Sequence, residues 1–576
     1  MSLFLKLFEK TQEYDSYITS DDKVLPNVSL CEDAKEVYFN PYVPHDYTQD
    51  YFTMVVTASG KIKWSGSTTD NTLSYSTDNG STWTTVNSTN EISVNSGDKV
   101  LWKGTPTPQE SKGIGKFSGD TNARYSVEGN TMSLLFGDDF KGQTSLSGKD
   151  SALRSLFSGS INVTSAENLS LPSTTLADNC YRAMFNSCTS LTTAPELPAT
   201  TLASSGYSNM FYGCTSLTTA PELPATTLTS QCYAGMFQGC TNLTTAPELP
   251  ATTLATKCYY NMFSNCKSLT EAPKLQATTL VSGCYQSMFQ SCTSLTTAPE
   301  LPATTLANDC YAMMFQYCTN LTEAPELRAT TLADGCYRLM FAFTNVIPDC
   351  SNIDFTSPTV VASGALKSLF AYTKITNSKL DTILKAHGIN NYSLPVMTLT
   401  DSCYQSMFYN CTSLTRAPEL PATTLGTNCY NQMFYGCTSL TTAPSTIGDS
   451  STVMATSACT FMFSGCTSLT TAPQLPSTSL ANRCYYAMFD GCTRLRTAPQ
   501  LPATTLANEC YGSMFSGCRN LNSITCLATD ISATRCTNYW LNGVAASGTF
   551  TKAASMNDWT SGTSGIPSGW TVQDAA

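Results

Sequence analysis

The sequence predicts a mainly β protein built as a stack of short repeats, and three observations predict it. A 26-residue unit, written at 301–326 as LPATTLANDCYAMMFQYCTNLTEAPE, recurs almost word for word from about residue 171 to 521. Its second cysteine falls at Cys188, Cys214, Cys240, Cys266, Cys292 and Cys318, each 26 residues after the one before. The apolar positions are fixed too: a leucine column from Leu191 to Leu521, another from Leu202 to Leu506, and a Met-Phe pair from Met184 and Phe185 to Met514 and Phe515. A unit this short cannot bury its own apolar side chains, so neighbours must stack into one continuous core. The expected architecture is a solenoid with 26-residue coils.

Eleven units carry the second cysteine; weaker ones at Leu156 and Phe157, Met340 and Phe341, Leu369 and Phe370, and Trp540 and Leu541 have Ser160, Thr344, Thr373 and Val544 in its place. Degenerate end units are what caps look like. At roughly 4.8 Å per layer, about fourteen or fifteen coils extend on the order of 70 Å. Within a unit, Pro195, Pro198 and their equivalents remove backbone donors twice, which limits pairing to short strands. The run CYRAMF at 180–185 sets Tyr181 and Met184 or Phe185 at helical spacing, predicting one turn of α or 3₁₀ helix.

The segment MFYGCTSLT at 210–218 resembles the core signature of the BspA-like leucine-rich repeats, a match covering more than half the chain. Those repeats are usually somewhat shorter, and the double-proline APELPATTL segment departs from their commonest pattern. The resemblance implies the fold and a role in surface adhesion, but no particular ligand.

Ahead of the array the composition changes twice. Residues 50–104 alternate apolar and polar positions, as in YFTMVV at 51–56, with turn signals at Ser59 and Gly60, Asp78 to Gly80, and Ser96 to Asp98. They predict a small antiparallel, Ig-like β-sandwich. Residues 105–150, rich in Gly, Ser and Thr, read as linker and N-terminal cap. Residues 1–48 are too short to bury a core alone and need a partner surface. Their words VLPNVS and VYFNPY resemble the opening segments of virion proteins from phages of Bacteroidales, including the crAss-like group. The resemblance implies a virion attachment segment, with Tyr14, Tyr17, Leu25, Val28, Tyr38, Phe39 and Tyr42 as its contact residues. The opening MSLFLKLFEK, broken by Lys6 and followed by no small-residue cleavage site, is not expected to act as a secretion signal.

The rhythm lapses after Asn345. The expected order is therefore attachment segment 1–48, sandwich 49–104, linker 105–150, repeats 151–344, an irregular insertion 345–400, repeats 401–544 and a C-terminal cap 545–576. In the insertion, SKLDTILKAHG at 378–388 offers an N-cap at Ser378, apolar residues at 380, 383 and 384, and a terminating glycine, predicting a short helix.

Composition narrows the function. A formal net charge of −11 and only 13% charged residues disfavour nucleic-acid partners, which need a basic face, and no apolar run is long enough to cross a bilayer. Twenty-five of the 26 cysteines lie at or beyond Cys180. Their eight-residue spacing and the presence of only two histidines, His45 and His387, speak against a metal site. Obligate pairing within units would strand Cys214, whose partner position holds Gly206, and Cys336, whose partner position holds Thr344; buried free thiols are the expectation. The repeated carboxylates Glu196, Glu222, Glu248, Glu300, Glu326 and Glu419 occupy one column with like surroundings. A glycosidase needs two carboxylates with unlike ones, and no GxSxG elbow or Ser-His-Asp grouping is readable. Neither an enzyme nor a cofactor is expected.

Positions that vary between units can choose a ligand while fixed ones hold the core. The variable positions flank the Met-Phe pair, and Tyr212, Gln238, Tyr260, Gln286, Tyr317, Tyr409, Tyr435 and Tyr486 form the candidate receptor-facing set. The bland alternative is drifting surface positions or contacts between subunits. The favoured reading is a non-enzymatic virion fibre, on head or tail, held by capsid or tail proteins through its N-terminus, displaying the repeats to a glycan or protein of a host or mucosal surface, and assembled as a homodimer or homotrimer. A cellular BspA-like surface adhesin is the alternative, and a carbohydrate-active enzyme the least favoured.

Overall fold

The protein is seen in a computed structural model that describes residues 16–18, 24–26, 45–66, 73–86, 91–329, 331–346, 362–386 and 389–576. The chain divides into two compact units, Met1–Asp46 and Tyr47–Ala576. In the first, strand β1 (Ser16–Ile18) pairs antiparallel with β2 (Val24–Pro26), setting Tyr17 opposite Leu25. The other expected attachment residues, Tyr14, Val28, Tyr38, Phe39 and Tyr42, lie outside the described residues.

The second unit opens with β3 (Phe52–Ala58), β4 (Gly60–Gly66), β5 (Leu73–Ser76), β6 (Thr84–Thr85), β7 (Glu91–Val94), β8 (Lys99–Gly104), β9 (Gly115–Gly119) and β10 (Arg124–Asn130). Period-two alternation decides their faces: Phe52, Met54 and Val56 of β3, Ile62 and Trp64 of β4, and Val100 and Trp102 of β8 are buried. Strands β6, β5, β8, β3 and β10 follow one another in one sheet, and β7, β4 and β9 form a second. The two meet through Phe117 of β9, whose ring lies 4.6 Å from Trp64, 4.8 Å from Trp102 and 5.5 Å from Phe52.

Strands β9 and β10 correct the reading of 105–150 as linker. Glycine there marks close approach of backbones: a Cβ on Gly115 would stand 2.6 Å from the Ser65 carbonyl, and one on Gly119 2.8 Å from that of Lys61. Strand β10 also joins the sheet to the repeats. It pairs antiparallel with β3, matching Val127 to Met54, and parallel with β11 (Val163–Ser165) and β12 (Leu169–Ser170). The aromatic core follows the same route, Phe117 to Phe157 at 5.7 Å and Phe157 to Phe185 at 5.2 Å.

In the repeats, extended pairing is mostly single parallel bridges such as Thr219 to Thr245 and Thr227 to Thr253, each 26 residues apart. The prolines on either side leave no donors for longer ladders. The expected turn of helix around 180–185 is absent. In its place each repeat carries a chain of consecutive turns with a left-handed residue every fourth position: Gln231 (φ 56°), Gly235 (φ 61°) and Gly239 (φ 76°). The amides of Cys232, Ala234, Met236, Gln238 and Cys240 close turns on the carbonyls three residues back. Those of Gln231, Tyr233, Gly235, Phe237 and Gly239 donate to Thr256, Cys258, Tyr260, Met262 and Ser264 of the next repeat, at 2.7–3.1 Å. Alternate amides thus tie the turn to itself and the layer to its neighbour, satisfying a buried segment that is neither helix nor strand.

That conformation turns Tyr233, Met236, Phe237 and Cys240 inward, all at 1% exposure or less. Repetition makes columns. Phenylalanine rings from Phe157 to Phe341 stack at 5.2–5.9 Å, and tyrosine rings from Tyr181 to Tyr337 at 5.6–6.1 Å. Each such ring buried contributes about 1.5–3 kcal/mol, plus about 0.5–1.5 for aromatic pairing. The described cysteines are all buried and unbonded. In the second cysteine column each Sγ donates to a phenylalanine carbonyl of the preceding layer, as Cys214 to Phe185 and Cys240 to Phe211, both at 3.0 Å.

The rhythm breaks without breaking the stack. Residues 363–372 form a full layer between those of Tyr337 and Tyr404: the Tyr337 amide donates to Ala365, and the Phe370 amide to Met407. The described part of the extra chain, 373–386 and 389–398, follows that layer. Its helix (Asn377–Ala386) buries Leu380, Ile383 and Leu384 as the apolar pattern predicts. The cap differs from expectation: Thr376, not Ser378, accepts the Lys379 amide through Oγ1 at 3.3 Å. His387 and Gly388 lie outside the described residues. At the C-terminal end β13 (Ser523–Cys526), β14 (Gly548–Lys552) and β15 (Trp570–Asp574) pair in parallel, and Trp559 stacks on Trp540 at 5.4 Å.

Candidate functional site

The eight receptor-facing candidates fall into two files that flank the buried Met-Phe pair. Tyr260, Gln286 and Tyr486 stand two places after the first cysteine column and are half-buried. Each tyrosine of this file has a cation beside it: Lys257 Nζ lies 5.7 Å from the Tyr260 ring, and the Arg483 guanidinium 4.6 Å from that of Tyr486. Arg483 also approaches Glu509 at 3.6 Å. Tyr260 and Gln286 hold the same position in successive layers, and Tyr486 lies far along the array from both.

The second file spans the two positions after the phenylalanine: Tyr212, Gln238, Tyr409 and Tyr435 directly follow it, and Tyr317 stands one place further. Tyr212, 38% exposed, and half-buried Gln238 hold the same position in successive layers. Tyr317, Tyr409 and Tyr435 do not stand alone, because Phe343 and Tyr372 of the intervening layers complete a run of five rings. Centroid separations are 4.3 Å from Tyr317 to Phe343, 3.8 Å to Tyr372, 5.2 Å to Tyr409 and 4.7 Å to Tyr435. Small residues make room for it: Ala342 and Ala371, immediately before Phe343 and Tyr372, are buried at 0% and 2%. Burial, then the charge and hydrogen bond of Tyr372, push the Tyr409 hydroxyl up to about 12. Gln316, buried beside Tyr317 in the same layer, accepts on Oε1 from Nε2 of half-buried Gln290 in the layer before, at 2.6 Å.

Phe343 and Tyr372 were missed because alignment on the second cysteine passes over units that lack it. The signal is nevertheless present: MFQYC at 314–318, MFAFT at 340–344 and LFAYT at 369–373 place an aromatic residue at the same distance from the phenylalanine.

The carboxylate column is less uniform than its sequence. Glu196, Glu222, Glu248, Glu300 and Glu326 are exposed, whereas Glu419 is half-buried and accepts from the Ser445 amide and hydroxyl at 2.8 and 2.6 Å. A cavity of ≈ 270 Å³ bordered by Glu300, Glu323 and Glu326 also holds Arg328, whose Nε lies 2.9 Å from Glu326. Among the described residues no group of three or more His, Cys, Asp and Glu side chains is placed to hold a metal ion, and no helix is long and apolar enough to cross a membrane. The cysteines are poor nucleophiles: burial pushes the Cys188 and Cys240 thiols up to about 12.

A family model described as BspA type leucine rich repeat region (6 copies) matches residues 150–270, 207–337, 340–458 and 451–552, well over half of the chain. No curated protein gives a significant match.

Proposed function

Since the chain belongs to the BspA-type leucine-rich-repeat family, we propose that it is a non-enzymatic adhesion protein, a solenoid of 26-residue coils whose variable edge meets a ligand. The observation that carries this reading is the division of labour within each repeat. Leu, Tyr, Met, Phe and Cys recur at buried positions, while Tyr, Gln, Ala and Ser exchange at the edge beside them. A core held by fixed columns tolerates that exchange without loss of fold.

Within this reading the chain is a structural virion protein, a head or tail fibre of a Bacteroidales or crAss-like phage. Its N-terminal segment binds capsid or tail proteins, and its repeats meet a glycan or protein of the host or mucosal surface. The resemblance of VLPNVS and VYFNPY to virion openings supports it. A symmetric homodimer or homotrimer fits the need of so short an anchor for more than one point of attachment. The family match supports a bacterial cell-surface adhesin equally well. Every glutamate of the column but Glu419 is exposed, so none of these has the desolvated surroundings that a glycosidase's acid needs, which argues against a glycosidase. Immunogold microscopy with antibodies to the repeats separates the two adhesive readings: gold on projections from phage particles is the expected result, and gold on the envelope of uninfected, growing cells overturns the virion assignment.

A further inference from the structure

We propose that the five-ring stripe Tyr317, Phe343, Tyr372, Tyr409 and Tyr435 is the ligand site of the array and that its ligand is a neutral glycan, an inference that rests on the adhesive reading above. Two independent features single the stripe out. It is a continuous run of rings along the edge, with Tyr317 and Tyr372 40% and 39% exposed, where a monomer ordinarily scatters such side chains singly. It also lies beside the break in the rhythm: the 26-residue spacing lapses after Asn345, two residues past Phe343, and the layer holding Tyr372 is followed by the insertion helix, and insertions in repeat proteins gather on the binding face.

The geometry chooses the ligand class. Three of the four contacts are face-to-face stacks at 3.8–4.7 Å, and the fourth, Tyr372 to Tyr409, is tilted by 42° at 5.2 Å, so the rings close on one another and leave no slot for an aromatic or aliphatic side chain of a protein partner. What remains for a ligand is a row of ring edges and of the hydroxyls of Tyr317, Tyr372, Tyr409 and Tyr435, with half-buried Gln290, which donates to buried Gln316, in the layer before Tyr317. The stripe contains no Lys or Arg, and the chain as a whole carries −11, so a polyanion gains no counter-charge here. A ligand that matches must be neutral, rich in hydroxyls and repetitive at about the roughly 4.8 Å spacing of one layer. A polysaccharide chain lying along the stripe meets all three conditions, its hydroxyls exchanging hydrogen bonds with a phenol at four of the five layers and passing the ring edge of Phe343 at the other.

The test uses the full chain in affinity electrophoresis through gels containing a β-glucan, an α-mannan, a galactan or, as the anionic control, heparin. A variant carrying Tyr317→Phe, Tyr372→Phe, Tyr409→Phe and Tyr435→Phe keeps every ring and removes only hydroxyls, so the stack and the fold survive; a second variant, Glu222→Gln with Glu248→Gln, alters the exposed carboxylate column instead. The expected result is retardation of the wild-type chain by at least one neutral polysaccharide, about tenfold weaker in the four-Phe variant and unchanged in the second. Equal retardation of the four-Phe variant overturns the proposal, as does retardation by heparin alone, or a chain that ignores every gel and self-associates through the stripe. A chain that adheres to cells or mucin equally with and without the four hydroxyls defeats the stripe while leaving the adhesive reading intact; one that adheres to neither defeats both.

Discussion

The side chain that most distinguishes this array is the second-column cysteine. Each phenylalanine carbonyl there accepts twice, as Phe211 does from the Cys214 amide at 3.1 Å and from Cys240 Sγ of the next layer at 3.0 Å. Where threonine replaces cysteine the link turns inward: Thr344 and Thr373 donate at 2.7 Å to Phe341 and Phe370 of their own layers. The thiol reaches across because its sulfur is larger and its bonds longer, and it stays a donor because it stays protonated. Burial pushes Cys318 up to about 12 and Cys232 and Cys284 up to about 11, whereas an unfolded thiol ionises near about 8.5. Between those values the folded state holds protons that the unfolded state has shed, so stability falls as pH rises. The thiols' contribution is complete below about pH 8 and is lost progressively from about 8.5 to 12. A thermal midpoint that is level from about pH 6 to 8 and declines steeply above about 9 is expected; one that is flat to about pH 10.5 would mean the thiols are not protected. The thiol column was legible from the sequence, because Gly206 and Thr344 already spoke against pairing within units. The donation to the preceding layer was not, since it depends on how the layers stack.

At the scale of the element, the chain of turns is what sequence patterns could not reveal. Tyr233 and Met236, three apart, and Tyr233 and Phe237, four apart, match a helix in spacing, but here they face inward because a left-handed residue recurs every fourth position. That conformation costs a non-glycine residue about 1–2 kcal/mol, and many such positions, among them Ala183 (φ 55°), Met313 (φ 57°) and Ser513 (φ 54°), bear it. The interlayer hydrogen bonds offset the cost. Ser513→Gly is therefore expected to raise the thermal midpoint by relieving up to about 1 kcal/mol, and Gly239→Ala (φ 76°, with open space around the new methyl beyond 3.6 Å) to lower it by a similar amount. Equal midpoints for both variants and the parent would mean that the turns carry no strain. The insertion helix, with Leu380, Ile383 and Leu384 inward, was legible because amphipathic spacing over ten residues is a local signal. Strands β9 and β10 were hidden because glycines demanded by close backbone contact look like linker composition.

At the scale of the whole molecule, each layer bonds only to its neighbours, and the buried side chains make one continuous core from Phe52 to Trp570. Stability in such an array is close to a sum over layers and interfaces. Removing residues 232–257, one whole repeat, is expected to leave a cooperative fold with a small loss of stability, whereas removing half as many residues destroys the register and the fold; circular dichroism melts distinguish the two. Failure of both deletions alike would contradict a layered assembly. The period, the columns and the β-rich first part were legible because they are written in neighbouring residues, and the aromatic stripe was half legible, in Tyr317, Tyr409 and Tyr435 but not in Phe343 and Tyr372. The central claim is that the variable edge, displayed on a fixed core, makes the chain adhesive. The most direct test is adsorption of the purified full chain to intact bacterial cells and to mucin, beside a variant with alanine at Tyr212, Tyr260, Tyr317, Tyr409, Tyr435 and Tyr486. Saturable binding to one of these surfaces, weakened about tenfold or more in the folded variant, is the expected result; no saturable binding by the parent chain, or equal binding by the variant, would contradict the account.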